Sequence, residues 1–139
     1  MHIVLQDQSL YIVRFDKGED LFLELPKFLA EAKITAAGFT GMGTCAGVEL
    51  GFYNEFLKEY RKKPFMENME IVSLIGNASM LGGKPVVHIH GSFSRNDFTL
   101  IAGHVFKLVV LATCEIYLSK MEGVAERKMN PAFNLNLLT

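Results

Sequence analysis

No apolar run in the 139 residues approaches the roughly 20 needed to span a bilayer, and the longest, such as Leu108 to Cys114, fall far short. The first residues carry no charged-then-apolar leader, so the expected location is the cytoplasm, away from any membrane. Cysteine is scarce. Cys45 and Cys114 stand in apolar surroundings without CxxC spacing, which argues against a disulfide framework or a thiolate metal site and for two small buried hydrophobes. Positive charge is not in excess: 14 Lys and Arg face 15 Asp and Glu, a formal net charge of −1, which withholds the global basicity that usually marks a nucleic-acid binder. No internal repeat, low-complexity tract or linker interrupts the chain, so 1–139 is expected to be one domain.

Hydrophobic residues make up 50% of the sequence, enough for a core without covalent staples. Ser9 to Phe15 reads as a first strand ending at the turn Asp16-Lys17-Gly18. Beyond it Leu21, Leu25, Phe28, Leu29 and Ala32 recur at helical spacing, with Glu19 and Asp20 suited to the positive end of a helix dipole. Pro26 interrupts this pattern, so the helix either kinks there or begins near Glu24. Ile34 to Phe39 leads into Gly41-Met42-Gly43-Thr44-Cys45-Ala46, which matches the dinucleotide-binding spacing G-x-G-x-x-A. A phosphate cradle needs a helix to begin in that loop, whereas Val48 to Tyr53 alternates like a strand. A tight glycine turn between strands is expected instead. Phe56 to Tyr60 reads as another strand, and the basic run Lys58, Arg61, Lys62, Lys63 as a sheet edge guarded by lysines. Met69 to Gly76 and Leu108 to Leu118 are apolar on both faces, as central strands are. Within the second, Glu115 is an acid that needs a partner if it is buried. The tail ends in alternation over Leu135 to Leu137, a last short strand.

The segment Pro85 to Ser94 carries the chemistry. His88 and His90 lie two apart in a strand-like run and therefore emerge on one face, about 6.6 Å apart along the backbone. A third imidazole, His104, follows the turn residues Arg95-Asn96-Asp97. A hairpin centred on Asn96 sets His104 opposite His88, and a slip of one residue would turn His104 to the other face. Three imidazoles on one face suit zinc, copper, nickel or iron, with zinc the first expectation. They leave a fourth coordination position open, as in catalytic zinc sites.

Several segments together resemble the domain called PPC, conserved in plants and prokaryotes. They are Tyr11-Ile12-Val13-Arg14-Phe15 with Gly18-Glu19-Asp20-Leu21, then Glu70-Ile71-Val72-Ser73-Leu74-Ile75-Gly76, and the histidine pattern His88-x-His90 with Gly103-His104. The resemblance spans Tyr11 to Leu138. It implies an α+β fold, a mostly antiparallel, strongly twisted β-sheet with one main helix packed on it, assembled as a homotrimer. In plant members the domain sits beside a short basic AT-hook arm, and no such arm occurs in these residues. The expected function is a trimeric binding module with a divalent metal on His88, His90 and His104, DNA being a weak partner through the basic run and the small-molecule ligand unidentified. The alternative is a metal-dependent hydrolase or lyase, for which Glu70, Glu115 and Asp97 are the candidate bases. His2, in a terminus expected to fray, is set aside as a ligand.

Overall fold

In the computed structural model, which describes residues 1–139, nine strands and one helix follow one another as β1 (His2–Asp7), β2 (Leu10–Asp16), α1 (Leu21–Glu31), β3 (Ala37–Asn54), β4 (Glu59–Phe65), β5 (Met69–Leu81), β6 (Lys84–Ser94), β7 (Leu100–Lys120), β8 (Arg127–Asn130) and β9 (Leu135–Leu138). Seven strands form one antiparallel sheet in the order β1-β2-β7-β6-β5-β3-β4, and β8 and β9 pair separately. An additional β3–β7 pairing closes β3, β5, β6 and β7 into a ring. The α+β fold with one helix on a twisted antiparallel sheet is the one expected.

The helix starts at Leu21 and runs through Pro26, so the later start near Glu24 is not taken. Asp20 caps it, its side chain accepting from the Phe22 N–H at 2.9 Å, which satisfies one of the donors left free at a helix start. At the other end Lys33 turns left-handed (φ 52°), and the Lys33 and Ile34 N–H groups return to the carbonyls of Ala30 and Leu29. That paired return is the usual way a helix closes its last carbonyls. Leu21, Leu25, Phe28 and Leu29 are buried, and the helix packs against β6 and β7. Inward residues of the sheet meet it there: Phe15, Leu74, Ile89, Phe93, Leu108 and Ile116 are fully buried within one continuous core cluster, which also takes in Cys45 and Cys114. Burial pushes both thiols up, to about 11 and about 12, as expected of inert core cysteines.

Four expectations change. The glycine segment is not a turn, because β3 runs unbroken through Gly41 and Gly43, and these glycines let β7 lie close. A Cβ on Gly43 would stand 2.2 Å from the Thr113 carbonyl oxygen. The strand expected over Phe56 to Tyr60 begins only at Glu59, because the Asn54 side chain accepts from the Phe56 and Leu57 N–H groups and folds the preceding residues into a turn. Glu115 is half-buried on the outer face, between its register partners Arg14 and Met42, so it needs no buried partner. The N-terminus is not frayed. His2 sits in β1 and pairs with Asp16 at 2.6 Å, and the terminal ammonium pairs with Glu19.

Arg61, Lys62 and Lys63 lie where expected, on β4 at the edge of the sheet, with Lys58 in the turn before it, and Lys62 pairs with Glu49 at 3.7 Å and stands over the Phe106 ring. No helix of the structure is long and apolar enough to cross a membrane.

Candidate metal centre

The β6–β7 hairpin turns over Arg95 to Thr99. The Arg95 carbonyl accepts from the Phe98 N–H, the Arg95 N–H donates to the Thr99 carbonyl, and the Asp97 carboxylate accepts from both the N–H and the hydroxyl of Thr99. These bonds, with Phe98 in the left-handed region, centre the turn on Asp97 instead of Asn96. His104 therefore faces His90 across the ladder, not His88. The correction amounts to two residues, so it preserves the face: His88, His90 and His104 all point outward together.

The three imidazoles make one cluster. Ring centroids lie 5.1 Å apart for His88 and His90, 4.8 Å for His88 and His104, and 5.3 Å for His90 and His104. One nitrogen from each falls within 4.8 Å of the others. Around tetrahedral zinc such nitrogens stand about 3.3 Å apart, so small side-chain rotations bring these to coordinating distance. Tyr60 on β4 and Phe106 on β7 hold the His104 ring, with centroids at 4.8 and 4.5 Å. His104 Nδ1 is buried and has no hydrogen-bond partner. An orphaned imidazole nitrogen in a half-buried site is costly unless something takes its lone pair or proton.

Protonation is also disfavoured. Burial, followed by the neighbouring His88 and His90, lowers His104 to about 4, and burial with the Arg127 charge beside it lowers His88 as well. Uncharged imidazoles are the form that binds a cation. The donor set and its protonation state thus fit a divalent ion of the imidazole-preferring kind, which when bound would act as a Lewis acid.

Those shifts make one contribution to the pH dependence of the metal-free protein. Unfolded, His104 takes a proton near pH 6.5, and folded only near 4, so between these values the unfolded chain holds more protons and stability falls as pH drops. Thermal melts of chelator-treated protein at pH 7.5, 5.5 and 4.5 should show a declining midpoint, and His104→Gln should flatten that decline. An equally steep decline in the variant would contradict the assignment.

The expected bases are elsewhere. Asp97 serves the hairpin turn, Glu70 pairs with Ser94 and Thr44 toward the other end of β6, and Glu115 lies far along β7. The cluster contains no carboxylate.

Arg127, at the start of β8, is the residue the sequence reading did not place. Its Nε donates to Ser79 Oγ at 2.8 Å, Nη1 to the Asn136 carbonyl at 2.9 Å and Nη2 to Asn77 Oδ1 at 2.8 Å, while Nη2 also approaches His88 Nδ1 at 3.4 Å. Asn77 is the register partner of His88, so the guanidinium lies over the strand pair beside the triad. Nothing local in the sequence joins a tail arginine to this hairpin. The contacts arise because β8 and β9 fold back over β5, with Met80 N bonded to the Ala125 carbonyl and Tyr53 Oη to the Phe133 carbonyl. Between this flap and the triad lies a cavity of about 250 Å³ reached by His88, His104, Tyr60 and Arg127, its remaining walls largely aliphatic.

Solved structures share this fold. A solved protein of Archaeoglobus fulgidus, described as metal-containing, is 32% identical over 100% of this chain and 99% of its own, with a TM-score of 0.88. A plant- and prokaryote-conserved (PPC) protein of Pyrococcus horikoshii is also 32% identical, covering 94% and 90% with a TM-score of 0.89. A candidate DNA-binding protein of Bacteroides thetaiotaomicron is 27% identical, covering 97% and 94% with a TM-score of 0.93. No curated protein matches the sequence. The family profile of the Plants and Prokaryotes Conserved (PCC) domain matches residues 4–122, and the chain belongs to that family.

Proposed function

We propose that this protein is a binding module built around a divalent metal ion, zinc by ligand preference, held by His88, His90 and His104, with the whole of 1–139 as its single domain. The observation that carries this reading is the convergence of one nitrogen from each of three imidazoles within 4.8 Å, in a cluster where His104 also holds a buried, partnerless Nδ1. The description of the Archaeoglobus relative as metal-containing supports it. A hydrolase or lyase role is less favoured, since the cluster offers no carboxylate to move a proton. Metal analysis of protein purified without an affinity tag tests the proposal: about one equivalent of zinc or a similar ion per chain is expected, and protein that neither contains nor takes up such an ion rejects it.

The module acts as a homotrimer in the cytoplasm. Met42, Val72, Ile75 and Tyr117 are all exposed on the outer side of β3, β5 and β7, and apolar sheet surface of this kind favours self-association. Light scattering at micromolar concentration should give three times the chain mass, and Ile75→Asp should shift it toward one. A monomeric wild type would remove the trimer.

DNA is a secondary partner in this reading. The Bacteroides relative is a candidate DNA binder, but here the basic residues sit on one edge strand and the turn before it, and Lys62 already has an acidic neighbour. Binding should be weak and tolerant of sequence, and should fall steeply between 50 and 200 mM salt because its drive is counterion release. A specific nanomolar site at physiological salt would contradict it.

A further inference from the structure

We infer that the cavity beside the triad receives a short aliphatic carboxylate, its carboxyl group held between Arg127 and the metal and its carbon chain against Leu135, Leu137 and Val87. The inference rests on the metal reading above.

Charge is the first argument. Arg127 is half-buried, yet all of its hydrogen-bond acceptors are neutral: a hydroxyl, an amide, a backbone carbonyl and an imidazole. It forms no ion pair, unlike Arg14 and Arg95. Three neutral imidazoles around a divalent ion, with no carboxylate in the cluster, leave a second unneutralised cation beside it. Two adjacent cations in a partly desolvated site call for an anion between them, and the chain supplies none.

Donor accounting is the second. A guanidinium has five N–H groups. Ser79, Asn136 and Asn77 engage one each on Nε, Nη1 and Nη2, so one N–H remains on Nη1 and the last, on Nη2, leans on His88 Nδ1. A neutral imidazole has a single lone-pair nitrogen, so once His88 gives that pair to the metal its other nitrogen carries a proton. The contact with Arg127 then has no acceptor, whichever tautomer ligates. Metal binding therefore leaves one unpaired N–H on each terminal nitrogen, two donors for the two oxygens of a carboxylate.

Shape is the third. At about 250 Å³ the cavity is smaller than pockets for drug-sized ligands, which begin near 300 Å³, and its walls away from Arg127 and the histidines are largely aliphatic. A bare inorganic anion would leave those walls uncovered, and a neutral alkyl compound would leave the two cations unmatched.

Calorimetric titration of zinc-loaded protein with isovalerate tests this, with 3-methylbutan-1-ol and inorganic phosphate as comparators and zinc content measured in every sample. Isovalerate should bind at least tenfold more tightly than either comparator. Arg127→Met should weaken it at least tenfold with zinc content unchanged, and Arg127→Lys, which keeps the charge but loses the guanidinium, should weaken it less. If Arg127→Met does not fold, the comparator series on the wild type and the lysine variant still decide. The inference is overturned if the alcohol or phosphate binds as well as the acid, or if a folded Arg127 variant binds the acid unchanged. Protein that takes up no zinc fails before any acid is added and rejects the metal reading, whereas zinc-loaded protein indifferent to isovalerate rejects this inference alone.

Discussion

Replacing His90 by alanine should lower zinc affinity at least about 100-fold, since the loss of supporting groups around a metal already costs 10–100-fold and His90 is one of three ligands. The fold should survive the change. His90 is exposed on the outer face, opposite His104, while the strand is anchored by the buried Ile89 and Phe93 on its other face, so the stability change should stay within about 0.5 kcal/mol. His2→Ala provides the comparison, because His2 pairs only with Asp16 in β1 and takes no part in the cluster. Competition against a chromogenic chelator measures both. Equal affinities for the two variants would dismiss the three-histidine site, while a large drop for His2→Ala would place the ion at the other end of the sheet.

Gly43→Ala should be the most damaging small substitution in the chain. A Cβ there meets the Thr113 carbonyl oxygen at 2.2 Å and the Cys114 Cα at 2.7 Å, both backbone atoms that cannot swing aside, and φ of +148° adds strain for any L residue. Forcing β3 and β7 apart at this point should cost roughly 2–4 kcal/mol, or about a 10 °C fall in midpoint for a domain of this size. Gly18→Ala isolates the conformational part, since φ is +85° there and nothing lies within 4 Å. It should cost only about 1 kcal/mol. If the two variants melt together, close strand approach is not what Gly43 provides.

The same glycine shows where the sequence stops being readable. Alternation identified β2, and continuous apolar runs identified β5 and β7, although only one face of each proves buried, and helical spacing located α1 to within a few residues of its true start. Gly41-x-Gly43 defeated pattern reading because glycine marks both a turn and a close approach, and only the position of β7 tells them apart. The histidine face was legible from spacing, since the period of two is rigid. The register was not, because the turn is centred by Asp97 and Thr99 bonds that a tally of turn residues does not resolve. Arg127 was invisible for a different reason: it reaches the site through the return of β8 and β9, and no local periodicity encodes a tertiary contact between residues so far apart in the chain.

That separation sets an order of events. The hairpin carrying His90 and His104 pairs residues close in sequence, and hairpins of this sort form within about 1–10 μs. Closing the ring requires partners as distant as Ala37 with Lys120, and β2 must pair Leu10 with Ser119; chains dominated by such pairings fold in milliseconds to seconds. Pairing within one hairpin suffices to gather the three imidazoles, whereas Arg127 reaches them only when the tail docks. If local pairing precedes distant pairing, the histidine claw is assembled and open to solvent at a stage before the guanidinium and the aliphatic wall dock. Metal can be captured at that stage, and the last residues to dock then determine what may approach it.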